Sequence, residues 1–223
     1  MVFFATRGLI GPSYTALSDL EEGALVKLKE SGSPVEFYVA KHDYESELNG
    51  SGRTLLVRKD CYDNRQWGSN NINVYANSTI DIWLNSTYKN LLDTKLLADI
   101  DTTKFYYTLG NGNISVSTLS RAIFLLSLTE LGKSHTYANV EGSTLPIANM
   151  LQAVNWNGLA SSQFTRSPNN ANASGVWRLN ADGGFNGGSC TDYRGSRPCF
   201  TLPSTILANA SGLIDRCNFV HNI

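Results

Sequence analysis

Nucleophilic catalysis needs a base held by an acid beside an activated oxygen or sulfur, and this chain offers few residues to build such a group. Its only histidines are His42, His135 and His221. His42 is followed directly by Asp43, but the pair falls at an expected strand end with no nucleophile pattern around it, so all three read as surface histidines. The cysteines Cys61, Cys190, Cys199 and Cys217 form no C-x-x-C pair and match no histidine spacing, which argues against zinc. Cys190 and Cys199 could meet across a hairpin, although scattered thiols in a chain without a secretion signal are more often reduced and buried. Gly110-Asn111-Gly112 lacks the third glycine and the following helix of a phosphate-cradling loop. Asp182 and Asp192 are too few for calcium, which takes about six to eight oxygens. The expectation is no catalytic group, no metal and no cofactor.

What remains is the chemistry of recognition. Residues 155–196 are crowded with Gly, Asn, Ser and Asp, yet they hold Trp156, Phe164, Trp177, Phe185 and Tyr193. A flexible linker would lack such anchors. The candidate ligand surface consists of Trp156, Asn157, Gln163, Thr165, Asn169, Asn170, Asn172, Arg178, Asn180, Phe185, Asn186, Thr191, Asp192, Tyr193 and Arg194. In such a mixture the rings give contact area at low entropic cost and the amides and hydroxyls adapt their hydrogen bonds. An ordinary solvated loop face has the same composition. Other residues read as structural. Arg166 and Arg197 each precede a proline within two residues, and a guanidinium in a loop-rich core can bond several carbonyls at once. Pro168 and Pro198 fix turns, while Trp177 on a strand and Trp83 on an apolar helix face belong in the core.

The elements that must position these residues are legible in outline. Leu25-Val26, Glu36–Ala40 and Thr54–Val57 read as an antiparallel meander, with a turn at Gly32–Pro34. Ile80, Trp83, Leu84, Tyr88, Leu91 and Leu92 recur at helical spacing, and Ser78 with Asp81 resembles a capping box, so a helix is predicted over 78–92. A second short helix is predicted over Thr94–Ile100. Phe105–Tyr107 and Ile123–Leu126 read as strands, the Gly110–Asn113 turn lies between them, and Ser127 with Glu130 starts a third brief helix. Gly175–Leu179 is a strand reversed at Asp182–Gly184, and Arg197–Leu202 closes the sheet.

The whole chain bounds the function further. Its 223 residues suit one large domain. Net charge is −1 with no long run of Lys or Arg, which leaves little electrostatic drive toward nucleic acid. No stretch reaches the ~18 apolar residues of a membrane span, and the start lacks the pattern of a signal peptide. Synthesis in a cytoplasm, without export by that route, is the expectation. The Asn-x-Ser/Thr triplets, at Asn49 and Asn77 among others, are what chance gives in a chain rich in these residues.

Several phrases in order resemble one family across roughly residues 23–206. They are Cys61-Tyr62-Asp63-Asn64-Arg65-Gln66-Trp67, Tyr75–Ile80, Trp83-Leu84-Asn85, Ile123–Ser127, Arg166-Ser167-Pro168, Asp182-Gly183 and Arg197-Pro198. The order is similar to a domain-of-unknown-function family of gut bacteria and their tailed phages. Its members resemble the C-type-lectin fold, and some are variable proteins of diversity-generating retroelements, whose adenine-containing codons near the C-terminus are rewritten. The resemblance implies an α+β, C-type-lectin-like domain at 23–206, between an arm at 1–22 and a tail at 207–223. It also implies non-catalytic binding of a host or bacterial surface protein or glycan, by a phage or prophage-encoded protein of the virion or cell surface. Binding without metal is expected, since Trp156-Asn157-Gly158 lacks the acid of sugar-binding lectins. Departures occur where the family has two Trp and a Leu before Arg-Ser-Pro, here Gln163, Phe164 and Thr165, and where Arg-Pro continues Ala-Leu, here Cys199-Phe200. Two other readings stand beside this one: a virion decoration or tail-fibre tip subunit, trimeric or attached to virion proteins, and a thiol oxidase like the formylglycine-generating enzymes, through Cys190 and Cys199.

Overall fold

A computed structural model describes residues 13–152 and 155–215. The strands, in chain order, are β1 (Tyr14–Ala16), β2 (Leu25–Glu30), β3 (Ser33–His42), β4 (Arg53–Arg58), β5 (Asp63–Gln66), β6 (Thr103–Gly110), β7 (Asn113–Arg121), β8 (Asn155–Trp156), β9 (Leu159–Ala160), β10 (Gln163–Pro168), β11 (Gly175–Leu179), β12 (Phe185–Ser189), β13 (Tyr193–Ser196), β14 (Cys199–Pro203) and β15 (Leu207–Asn209). Short helices α1 (Ser46–Asn49), α2 (Thr79–Trp83) and α3 (Thr94–Leu97) lie among them. Strand accounts for 40% and helix for 14%, an α+β protein weighted toward sheet.

Two sheets organise the molecule. One is four-stranded and antiparallel, in the order β14-β4-β3-β2. The other has five strands, β12-β11-β10-β13-β5, and its β10–β13 pair is parallel. The pairs β1–β15, β6–β7 and β8–β9 form separate two-stranded ribbons. Hairpin turns follow the backbone freedom of their residues: Ser31-Gly32 closes β2–β3 and Asn111-Gly112 closes β6–β7, each with both residues at positive φ.

The segments read as arm and tail meet each other, since Tyr14 pairs with Asn209 and Ala16 with Leu207. Leu17, Ala208 and Ile214 are buried in the same core as the rest, so residues 14–22 and 207–215 fold with the domain. No described helix is long and apolar enough to cross a membrane.

The helix predicted over 78–92 changes pitch. Ser78 does cap it, accepting from the Asp81 amide at 3.3 Å. After Trp83 the chain takes one turn of π pitch, Leu84–Tyr88, and then a 3-10 turn, Lys89–Leu91. Asn85 donates to the Asp81 carbonyl and Ser86 to that of Ile82, so side chains compete with the helical ladder at that point. Ile123–Leu126 is buried but forms only a single bridge, Phe124 to Cys199, and β7 is the strand that follows the Asn111-Gly112 turn. Ser127 and Glu130 bond reciprocally, yet the turn ends at Gly132, at φ 71°, and no helix continues; Glu130 is also engaged elsewhere.

Its partner is Arg166, and both side chains are fully buried. Arg166 donates to Glu130 at 2.6 and 3.0 Å and to the carbonyls of Tyr106, Leu125 and Glu141. Tyr44 donates to the same Glu130 carboxylate. Phe105 lies beneath the guanidinium and stacks on Phe124 at 4.5 Å. Arg197 does similar work, donating to the carbonyls of Arg58, Lys59 and Leu151. These arginines tie irregular segments to the sheets without using up a surface charge.

Candidate ligand-binding face

Side chains alternate across a strand, so register decides which residues share a face. Arg178 on β11 lies opposite Asn186 on β12 and Phe164 on β10. Gln163 pairs with Gly195, which places Arg194 on the Arg178 side, and Arg194 lies opposite Arg65 on β5. Asn186, Arg178, Arg194 and Arg65 therefore cross one face of the five-stranded sheet.

Contacts between them are specific. Arg178 donates from Nε to Asn186 at 2.6 Å and from Nη1 to Asp192 at 3.2 Å. Arg194 donates to the same Asp192 oxygen at 3.4 Å and to its neighbouring Tyr193 carbonyl at 2.6 Å. Burial, and then the like charge of Arg194, lower the pKa of Arg178 from its ordinary value. Arg65 is paired with Asp63 and sits 3.2 Å above the ring of Trp83, a cation–π contact. Trp83 is half-buried rather than in the core as expected; the helix turns it toward β5, where the guanidinium covers it. Thr191 bonds Ser189 through its hydroxyl and accepts from Gln66 through its carbonyl.

The other expected surface residues lie apart from this cluster. Trp177 and Phe185 lie on the opposite side of β11 and β12, in an aromatic group with His135, 4.5 Å from Trp177, and Tyr137, which is half exposed. Trp177 itself is buried, as expected. Asn169 and Asn172 fold back on their own loop, accepting from the amides of Ala171 and Ser174 as turn formers do. Asn170 is held through its amide by the Tyr137 carbonyl. Asn157 and Gly158, both at positive φ, form the tip of the β8–β9 hairpin, where Trp156 packs on the core. Asn180 begins the turn to β12, with Asp182 accepting from Gly184. Tyr193 is 61% exposed.

Gln163 and Thr165 are corrections. Both are buried, because β10 has neighbouring strands on both sides. Thr165 donates to the Trp177 carbonyl at 2.8 Å and accepts from the Trp67 indole at 2.9 Å, while the Gln163 amide nitrogen has no partner among the described residues. Pro168 and Pro198 are also buried.

Thiol chemistry has little support. Cys61, Cys190 and Cys199 are free and buried, so the hairpin bridge does not form, and Cys217 lies outside the described residues. Burial pushes the Cys61 thiol up to about 12 and raises Cys190 and Cys199 as well, which disfavours the thiolate. Among the described residues, no three His, Cys, Asp or Glu side chains converge as a metal site would need. His42 is tied to Thr54 and the Leu20 carbonyl, and His221 lies outside the described residues.

Sequence reasoning did not single out Arg65, His135, Tyr137 or Asn73 as contributors. Arg65 could have been found from the alternation Asp63, Arg65, Trp67, which puts the charge on a strand face. Asn73 is buried and donates to the carbonyls of Asn169, Asn172 and Gly175, pinning the loop that leads into β11. Nothing local in the sequence marks it.

Compared with known families, residues 51–204 match the family described as Domain of unknown function (DUF6273). No curated protein and no solved structure matches the chain. The matched span runs from just before β4 to just after β14 and contains the whole five-stranded sheet. It covers more than two thirds of the sequence, and the chain belongs to the DUF6273 family.

Proposed function

We propose that the protein is a non-catalytic recognition domain, borne on a phage particle or a bacterial surface, that binds a surface protein or glycan through the Arg178 face of its five-stranded sheet and the adjoining Tyr193. The observation that carries this reading is the arrangement Asn186–Arg178–Asp192–Arg194 on one partly exposed sheet face. Arg178 stands on β11, whose other residues are buried, beside fully buried β10, and its hydrogen bonds to Asn186 and Asp192 hold it in place before any ligand arrives. A fixed, hydrogen-bonding face beside an exposed tyrosine suits recognition, because such residues supply contact area and direction together. Burial of Cys190 and Cys199 raises their thiol pKa values and disfavours the thiolate that a thiol oxidase needs, which supports the recognition reading over that one. The C-type-lectin-like scaffold is part of this proposal; the loop-rich C-terminal half and the order of the sequence phrases support it.

The test uses the purified protein on a panel of intact bacterial cells. Tyr193→Ala and Arg178→Ala each weaken cell binding by about fivefold or more, equivalent to about 1 kcal/mol, with thermal unfolding unchanged. Both variants binding like the wild type would remove this face from the account.

A further inference from the structure

Arg178 and Arg194 reach the same carboxylate, that of Asp192, at 3.2 and 3.4 Å. One acid thus serves two guanidinium groups, and the next pair along the face, Arg65 with Asp63, is already balanced. The cluster carries one positive charge in excess.

Its geometry is fixed. The Arg178 side chain is only 16% exposed and is anchored through Nε to Asn186. On the neighbouring strand β12, a Cβ at Gly188 would lie 3.0 Å from Arg178 Nη1 and 3.3 Å from Asp192 Oδ2. Glycine is what allows the guanidinium to lie across that strand, as where a strand glycine marks a close approach. Arg178 Nη2 and Arg194 Nε have no acceptor among the described residues. A carboxylate matches such donors, its two oxygens accepting one hydrogen bond from each guanidinium. The apolar side chains on this face, Phe164 and Val176, are buried, so what Asn186 and Thr191 add around the arginines is hydrogen-bonding surface suited to sugar hydroxyls.

We propose that Arg178 and Arg194 form the binding site for the carboxylate of an acidic sugar in a surface polysaccharide. The inference rests on the recognition reading above and names its ligand class.

The experiment titrates the full chain with oligogalacturonate, oligosialic acid, methyl-esterified oligogalacturonate and polyglutamate. At least one of the two acidic sugars is expected to bind, and Arg178→Gln and Arg194→Gln each to weaken that binding about tenfold. Arg178→Lys, which keeps the charge but lacks a further nitrogen to donate once it is held by Asn186 and Asp192, weakens it too, and Gly188→Ala, which displaces the guanidinium, does the same while unfolding remains cooperative. Where oligogalacturonate binds, its ester binds about tenfold more weakly. The proposal is overturned if neither acidic sugar binds, if the ester binds as well as the free acid, if Arg178→Lys matches the wild type, or if polyglutamate binds as tightly as the sugars. Failure here leaves its own signature. Cell binding that still depends on Tyr193, with no preference for acidic sugars, keeps the recognition face and discards only this ligand.

Discussion

Glu141 shows how a single buried group sets the behaviour of the scaffold behind the face. Its carboxylate is fully buried, accepts from the Thr108 amide at 2.7 Å and from Ser167 at 2.6 Å, and lies near Arg166. Burial outweighs these partners and raises its pKa above the ordinary 4.5. The folded protein then holds this proton more tightly than the unfolded chain does, so unfolding releases it at pH values between the ordinary and the raised pKa. This group's contribution to stability is therefore full below about 4.5 and declines as pH rises through the raised value. Urea unfolding between pH 4 and 8 should show Glu141→Gln with a weaker downward trend than the wild type (roughly one ionisation's worth). An identical trend in both proteins would mean that Glu141 is not the group responsible. Glu130, by contrast, is matched directly by Arg166, and that pair was only half visible in the sequence. Arg166 could be read as a carbonyl-bonding arginine from its place before Pro168, whereas its carboxylate lies 36 residues away.

At the scale of elements, legibility followed local pattern. The β2–β3–β4 meander, the β11–β12 reversal and the Ser78 cap were readable because alternation, glycine turns and capping are local signals. The pitch change after Trp83 was not, because it depends on Asn85 reaching the backbone of Ile123 as well as that of Asp81. Central strand β10 was hidden for a related reason. Gln163 and Thr165 look like surface residues, and their burial follows from strands that arrive later in the chain. The candidate face was readable as a set of residues but not as a face. Register separates Arg178 and Asn186 from Trp177 and Phe185, and it adds Arg65 from more than a hundred residues earlier. Asn73 joins these distant parts. Besides the three carbonyls it bonds, its own side-chain oxygen accepts from the Asn111 amide at 2.6 Å. Asn73→Ala leaves those buried groups unmatched and should cost about 1–3 kcal/mol, with faster amide hydrogen exchange concentrated in 169–175. Unchanged stability and exchange would show that the loop is held by its own turns instead.

Across the whole molecule, division of labour is clear. The four-stranded sheet, the separate β1–β15 ribbon and the buried arginines Arg166 and Arg197 make the scaffold. The five-stranded sheet lies within the region matched by the DUF6273 family and presents the arginine face. Long edge strand β7, exposed at Ile114 and Val116, lies in a separate ribbon and offers a competing surface for contact. Hydroxyl-radical footprinting, with the protein free and then bound to cells it recognises, separates these surfaces directly. Tyr193 and the 178–194 segment around it are expected to be protected, with β7 as reactive as in the free protein. Protection of β7 together with full reactivity at Tyr193 would contradict the proposed face and move recognition, or assembly, to the other ribbon.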